Sequence, residues 1–171
     1  MQRSTKTVTT RTATPADLGA ITRIYNQGIE DRIATFELDP KTQEQVGDWL
    51  FHDGEERYAA IVAQSGPHTV GWAALRPYSH RCAYAGVADL SVYVERDARG
   101  KGVGQRLLAD LEERAGRNGF HKMVLFALSH NSAGLQLYTK RGFREVGVFH
   151  EQGMLDGRFA DVTIMEKILT R

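Results

Sequence analysis

The chain predicts an α/β fold, in the α+β sense of a mixed sheet with helices packed on it, and three observations carry this. Strand-like and helix-like stretches alternate along the 171 residues; no repeat, linker or low-complexity tract interrupts them; and 42% hydrophobic with 25% charged residues is ordinary globular usage for one core. A single domain over residues 1–171 is therefore expected, with residues 1–6 frayed. Twenty-two basic against twenty-one acidic side chains leave a formal charge of +1, which gives neither nucleic acid nor an anionic membrane a reason to bind. Met1 to Thr10 is polar, and no eighteen apolar residues run together, so a cytoplasmic location without membrane attachment is expected. Cys82 has no partner for an internal disulfide, and the six histidines lack ligand spacing, so no metal is expected.

Each element has a local cause. Thr7 to Arg11 alternates weakly, as an edge strand does. Thr14-Pro15-Ala16-Asp17 combines an N-cap, a proline at the first helical position and an acid at the third; the helix it starts buries Leu18, Ile21, Ile24 and Tyr25, with Gly28 near its end. Thr42-Gln43-Glu44-Gln45 repeats the capping logic for a helix through Val46, Trp49 and Leu50 that Asp53-Gly54 should stop. Tyr58 to Ala63 and Thr69 to Leu75 read as an antiparallel hairpin around Ser65-Gly66-Pro67-His68, and Pro77 ends the second strand. Val87 to Val94 is a central strand with Asp89, Ser91 and Tyr93 on one face. A helix from Val103 to Arg117, a strand Lys122 to Leu128, a helix Ser132 to Arg141, and strands Arg144 to Glu151 and Phe159 to Ile168 complete the chain.

Two motifs carry chemistry. Arg99-Gly100-Lys101-Gly102-Val103-Gly104 joins the central strand to the Val103 helix, where glycines let backbone N–H groups turn toward an anion at a helix N-terminus. Arg99 and Lys101 would add mobile charge. A dinucleotide fingerprint needs glycine where Gln105 stands, and the Gly-Lys-Ser/Thr of a P-loop is missing, so Arg-x-x-Gly-x-Gly remains. The second motif is Asn131 followed by Tyr138 and Gly142-Phe143. Seven residues separate Asn131 from Tyr138, close to two helical turns, so both can face one side, and Gly142 suits a left-handed helix stop.

Together these motifs resemble the acetyl-CoA loop and the Asn…Tyr-x-x-x-Gly-Phe segment of the GNAT acyltransferase superfamily. From about Thr12 to Ile168 the chain further resembles its phosphinothricin acetyltransferase branch, with the methionine sulfone, methionine sulfoximine and arsinothricin enzymes, through Ile24-Tyr25-Asn26, Ala34-Thr35-Phe36, Ser91-Val92-Tyr93-Val94 and Gly157 to Val162. The resemblance implies a mostly antiparallel central sheet with splayed strands that bind acetyl-CoA, helices on both faces, a homodimer, and direct acetyl transfer to an amine in a ternary complex. It also implies that Val92, Tyr93 and Val94 bond the pantetheine and thioester through their main chain, that Arg99, Gly100, Lys101, Gly102, Val103, Gly104 and Gln105 hold the pyrophosphate, and that Asn131 contacts the carrier.

For the chemistry, Asp89 stands where the branch usually has a glutamate general base, one methylene shorter, so that a bridging water fits between it and the amine. The alternative for Asp89 is a structural ion pair with Arg76, Arg81 or Arg96. Tyr138 is the candidate acid for the departing thiolate, where phosphinothricin acetyltransferases often have histidine; a main-chain N–H of Val92 to Val94 would meet the oxyanion. Thr35, Phe36, Tyr84 and Phe159 match pocket positions of the branch, and Arg76 and Arg81 could clamp a carboxylate or phosphinate. The expected acceptor is a small amino-acid-like amine; a protein N-terminus, lysine or polyamine, or a catalytically idle acetyl-CoA-binding module, are the alternatives.

Overall fold

A computed structural model describes residues 7–51 and 56–169. Seven strands form one sheet: β1 (Val8–Thr12), β2 (Ala60–Ser65), β3 (His68–Pro77), β4 (Val87–Val94), β5 (Lys122–Leu128), β6 (Arg144–Leu155) and β7 (Arg158–Ile168). Their spatial order is β1-β2-β3-β4-β5-β7-β6, and every pairing is antiparallel except β4 with β5. Helices α1 (Leu18–Glu30) and α2 (Gln43–Phe51) cover one face, while α3 (Val103–Arg117) and α4 (Ser132–Lys140) cover the other.

The helices form because their apolar residues recur at the helical period. Along α3, Val103, Leu107, Leu108, Leu111 and Ala115 are all buried against β2 to β5; each leucine contributes about 1.5–3 kcal/mol of transfer free energy. On the opposite face Ile21, Ile24, Tyr25 and Ile29 of α1 meet Trp72 and Ala74 of β3. The Thr42 capping box closes as expected: Gln45 Oε1 accepts the Thr42 N–H at 3.0 Å and Thr42 Oγ1 accepts the Gln45 N–H at 3.2 Å.

Several expectations shift at their edges, with β1 at Val8–Thr12, β2 at Ala60–Ser65 and β3 at His68–Pro77 each displaced or extended by one or two residues. Pro15 to Asp17 forms a 3₁₀ turn ahead of α1, tied by the Asp17 carboxylate to the Thr14 N–H at 2.9 Å and to Arg11 at 2.8 Å. The strand expected to stop at Glu151 runs on to Leu155 through a bulge between Phe149 and Gly153, and turns back at Asp156-Gly157, both in left-handed conformation, φ 48° and 75°. That turn is the Asp-Gly hairpin signal, masked in the sequence by the polar run before it. Arg141 caps α4 instead of ending it, and Gly142 at φ 85° takes the left-handed stop. Asp53-Gly54 and residues 1–6 lie outside the described residues.

Candidate active site

The site begins where two strands part. Parallel pairing of β4 with β5 covers only Val87–Asp89 against Lys122–Val124; beyond that, β4 stays with β3 while β5 follows β7. The Glu95 N–H donates to Val70 O at 2.9 Å, and this fixes the parity of the β3–β4 ladder. In an antiparallel pair, bonded and non-bonded partners alternate, so Tyr93 and Ser91 spend their main-chain groups on Trp72 and Ala74. Val92 and Val94 turn theirs into the gap. Of the three residues expected to offer main-chain bonds, Tyr93 is therefore corrected: it supplies a ring, stacked on Trp72 at 4.8 Å, while its N–H serves the sheet.

Across the gap, the Arg99 to Gly104 turn feeds α3. Gly100 and Gly102 have φ of 72° and 83°, and a Cβ at either would touch nothing within 4 Å, so backbone conformation alone demands glycine there. Gly104 is different: a Cβ would lie 2.9 Å from Leu137 Cδ2, so its absence lets α3 approach α4. The N–H groups of Gly100 to Gln105 have no backbone acceptor among the described residues; the first amide satisfied is Arg106, by Gly102 O at 3.1 Å. Unpaired amides, left-handed glycines and a helix dipole together suit this turn to an anion.

The flanking charges behave otherwise than expected. Arg99 donates to Asp31 at 2.6 Å and to Val94 O at 3.2 Å, and Lys101 donates to Asp97 O at 2.7 Å. Both side chains are thus engaged, Lys101 through one contact from an exposed position. Arg96 and then Arg99 hold the Asp31 carboxylate below the ordinary range, so this cluster fastens the glycine turn to the end of α1. Val103 contributes only its backbone, since its side chain is in the core.

Arg99, Gly100, Gly102, Gly104 and Gln105 line a cleft of about 470 Å³ that continues along Val92, Tyr93 and Val94 to Asn131 and Tyr138. A second cleft of about 540 Å³ shares Ala34, Val92, Tyr93, Asn131 and Tyr138 with it and extends past Asp89, Arg76, Thr35 and Phe36. The two meet in the splay. Asn131 caps α4, its Oδ1 accepting the Gly134 N–H at 3.0 Å, which fixes its place between the clefts. Tyr138, two turns on, is buried edge-to-face against Phe143 at 5.8 Å. Burial, then the nearby Asp89 charge, raises its phenol well above the ordinary value and keeps it protonated.

Asp89 is pushed up to about 6, chiefly by burial, with Arg76 pulling the other way. The ion-pair alternative does not form: among the described residues no cation lies within 4.0 Å of its carboxylate, and Arg96 is engaged by Asp31 at 2.8 Å and Glu30 at 3.0 Å. Thr35, Phe36 and Arg76 share Asp89's cleft. Arg81, Tyr84 and Phe159 do not line it in this single chain. Arg81 and Tyr84 stand on the β3–β4 connection, Tyr84 touching the cleft only through Tyr78 and Phe126, and Phe159 is 63% exposed at the start of β7. Sequence reasoning passed over Glu37, Ser91, Phe126 and Val162, which line the cleft. For Phe126 the continuous apolar run of β5 hid which face the residue takes, and for Val162 the alternation of β7 did not say which of its faces meets the cleft.

A parted sheet beside a glycine-built turn, with a second cleft that meets the first at a buried phenol and carries a half-buried carboxyl, defines a coenzyme A-dependent acyltransferase. Residues 23–143 match the Acetyltransferase (GNAT) family, and the chain belongs to that family. It is 33% identical over 91% of its length to the L-methionine sulfoximine/L-methionine sulfone acetyltransferase of Pseudomonas aeruginosa, of which 91% is covered. Among solved structures, it matches a GNAT superfamily phosphinothricin acetyltransferase from Sinorhizobium meliloti in complex with acetyl-CoA, with TM-score 0.87 and 29% identity over 95% of this chain and 89% of that one. It also matches a ribosomal-protein-alanine N-acetyltransferase from Brucella melitensis, with TM-score 0.90 and 33% identity over 94% and 99%. The chain is thus an acetyl-CoA-dependent N-acetyltransferase of the GNAT fold. No described helix is long and apolar enough to cross a membrane.

Proposed function

We propose that the enzyme acetylates the α-amino group of a small amino-acid analogue of the phosphinothricin or methionine sulfoximine type, by direct transfer in a ternary complex. The observation that carries this reading is the continuity of the two clefts through the splay, with Asp89 on the acceptor side and Tyr138 reaching both. Gly100 to Gln105 would hold the pyrophosphate by several N–H bonds, since the helix dipole alone contributes only about 0.3–2 kcal/mol. Acetyl-CoA supplies the acetyl group as a thioester.

The chain's own groups then manage two protons and one developing charge. An α-ammonium has a reference pKa of about 7.7–8.0 and must lose a proton before it can attack; Asp89, ionised above about pH 6, accepts it through a water. The Val92 N–H, free of the β-ladder, is the donor for the carbonyl oxygen as it gains charge. Tyr138 offers its O–H to the departing sulfur. Nitrogen sheds two protons on the way from ammonium to amide: the first passes to Asp89 and on to solvent, and the second, lost after attack, replaces the one that Tyr138 gives to sulfur, so one proton is released per turnover.

The comparison with a ribosomal-protein-alanine enzyme supports a second reading, in which the acceptor is a protein N-terminus. A thiol-release panel separates the two: phosphinothricin and methionine sulfoximine should turn over at least about tenfold more efficiently than alanine-initiated peptides or polyamines. The reverse order would transfer the acceptor to the second reading. We also propose a cytoplasmic homodimer, supported by the exposed Phe149, Met154 and Phe159 of the β6–β7 hairpin; light scattering that returns a monomer mass would remove it.

A further inference from the structure

One wall of the acceptor cleft is the connection between α1 and α2. Ala34, Thr35, Phe36 and Glu37, consecutive in the chain, all line that cleft, yet none of residues 31–42 is buried. Core packing therefore does not place this wall. Its two ends are fastened to α1: the Arg32 guanidinium donates to Ile29 O at 2.7 Å, and the Asn26 amide bonds the Lys41 main chain in both directions, at 2.8 and 3.0 Å. The middle rests on the β6–β7 hairpin. Arg32 Nε donates to Asp156 at 2.8 Å, and the Phe36 ring packs on Leu128, Leu155 and Val162.

The hairpin is shaped to receive that ring. A Cβ at Gly153 would stand 2.7 Å from Phe36 Cε1 and 2.8 Å from Cζ, nearer than side chains approach, although Gly153 is not in left-handed conformation. Glycine here permits a close approach rather than a turn. The β6 bulge brings Gly153 to this position: between the pairs Phe149 with Val162 and Gly153 with Ala160, Asp161 alone faces His150 to Gln152. Its carboxylate holds the bulge, accepting the Glu151 N–H at 2.7 Å and meeting His150 Nδ1 at 3.1 Å. Among the described residues, the left-handed non-glycine positions are Arg32, Glu151 and Asp156, at φ 56°, 51° and 48°. All belong to this contact. Such strain persists only where the surroundings over-determine it; glycine would relieve Arg32 of it and lose the pair with Asp156.

We infer that Gly153 is a positioning residue for the acceptor: the β6 bulge offers it as a seat for Phe36, and the Arg32–Asp156 pair holds residues 34–37 over that seat, setting the width of the cleft before an acceptor enters. The inference rests on reading this cleft as the acceptor's. A wall ordered in advance lowers what binding must order, so loss of the seat should weaken acceptor binding more than it slows transfer. Acetyl-CoA, held by backbone on the far side of the splay, should not respond.

Two variants test it. Gly153→Ala drives a methyl into the Phe36 ring, and Asp156→Asn removes the charge that holds Arg32 while asparagine keeps the left-handed turn. KM is measured by thiol release for whichever of phosphinothricin, methionine sulfoximine and an alanine-initiated peptide the wild type turns over best. It should rise about tenfold in Gly153→Ala and about two- to fivefold in Asp156→Asn, with kcat changed less than KM and the calorimetric Kd of acetyl-CoA unchanged. Amide hydrogen exchange of residues 33–38 should quicken at least about twofold in both. Phe36→Leu makes room for the methyl, so it should raise KM less in the Gly153→Ala background than alone, the two changes departing from additivity by about threefold or more. Should Gly153→Ala fail to fold, Asp156→Asn decides. An acceptor KM unmoved in the variants, or effects of Gly153 and Phe36 that simply add, overturns the inference whatever happens to stability. Thiol release from no amine, with exchange quickened in the variants, would instead overturn the acceptor reading and leave the seat itself standing.

Discussion

The two clefts that meet in the splay are built from different material. The cofactor side is made of backbone: left-handed Gly100 and Gly102, unpaired amides through Gln105, and the outward N–H groups of Val92 and Val94. Its arginine and lysine, which look like ligands, are engaged by Asp31 and by the Asp97 carbonyl. The acceptor side is made of side chains from six elements, with a carboxyl, a phenol and an arginine placed by tertiary packing. A backbone-built site tolerates changes in side-chain chemistry and fails when its conformation changes. A side-chain-built site fails one functional group at a time, and single substitutions can therefore separate the two.

The largest effect belongs to the shared boundary. Tyr138→Phe removes the O–H while keeping the ring against Phe143, so kcat should fall about 10²- to 10⁴-fold with acetyl-CoA affinity unchanged by calorimetry. A wild-type kcat would take Tyr138 out of the chemistry. Gly104→Leu comes next and tests the backbone side: its Cβ meets Leu137, so α3 and α4 must separate and acetyl-CoA should bind about 10- to 100-fold more weakly. Unaltered binding would mean that the cradle does not depend on the close approach of these helices.

Asp89→Asn has a kinetic and a thermodynamic arm. Asp89 ionises near pH 6, so kcat/KM should rise through that value in the wild type, and the asparagine variant should lose this limb while keeping the higher one set by the substrate amine. For stability the sign is opposite. Its folded pKa lies above the unfolded value of about 3.9, so between these values the folded state binds more protons and stability falls as pH rises. Above pH 6 the charged, buried carboxylate is a standing cost, and the variant should be more stable there by about 1–2 kcal/mol, with no gain near pH 4. Equal melting temperatures at pH 7.5 would mean that solvent already screens the charge.

How legible each side was in the sequence follows from the same difference. Gly100 and Gly102 could be read because glycine spacing reports backbone conformation directly, and helix α3 and strands β4 and β5 followed from local patterning. The Asn131–Tyr138 spacing was readable because both lie on one short helix. The loss of Tyr93's main chain to Trp72 was not readable, since it depends on the register of a partner strand twenty residues away. Nor was the exclusion of Arg81, Tyr84 and Phe159 from the single-chain cleft, or the inclusion of Glu37 and Phe126, because these depend on where connections cross the sheet. Arg99 shows the limit most plainly: its motif marks it as an anion ligand, and only the fold brings Asp31 to meet it from sixty-eight residues away.

The smallest effect tests that last point. Asp31→Asn removes the charge that pairs with Arg99 and with Arg96, which keeps Glu30 at 3.0 Å; both arginines are partly exposed, and such pairs contribute about 0.2–1 kcal/mol each. If Arg99 only fastens the turn to α1, acetyl-CoA affinity should change by less than about fivefold, and in the weaker direction, as the cradle loosens. If instead the released guanidinium reaches the cleft it lines, affinity should rise and its salt dependence steepen. The sign of a small change in Kd, measured at two ionic strengths, therefore decides whether this arginine belongs to the scaffold or to the backbone-built side of the site.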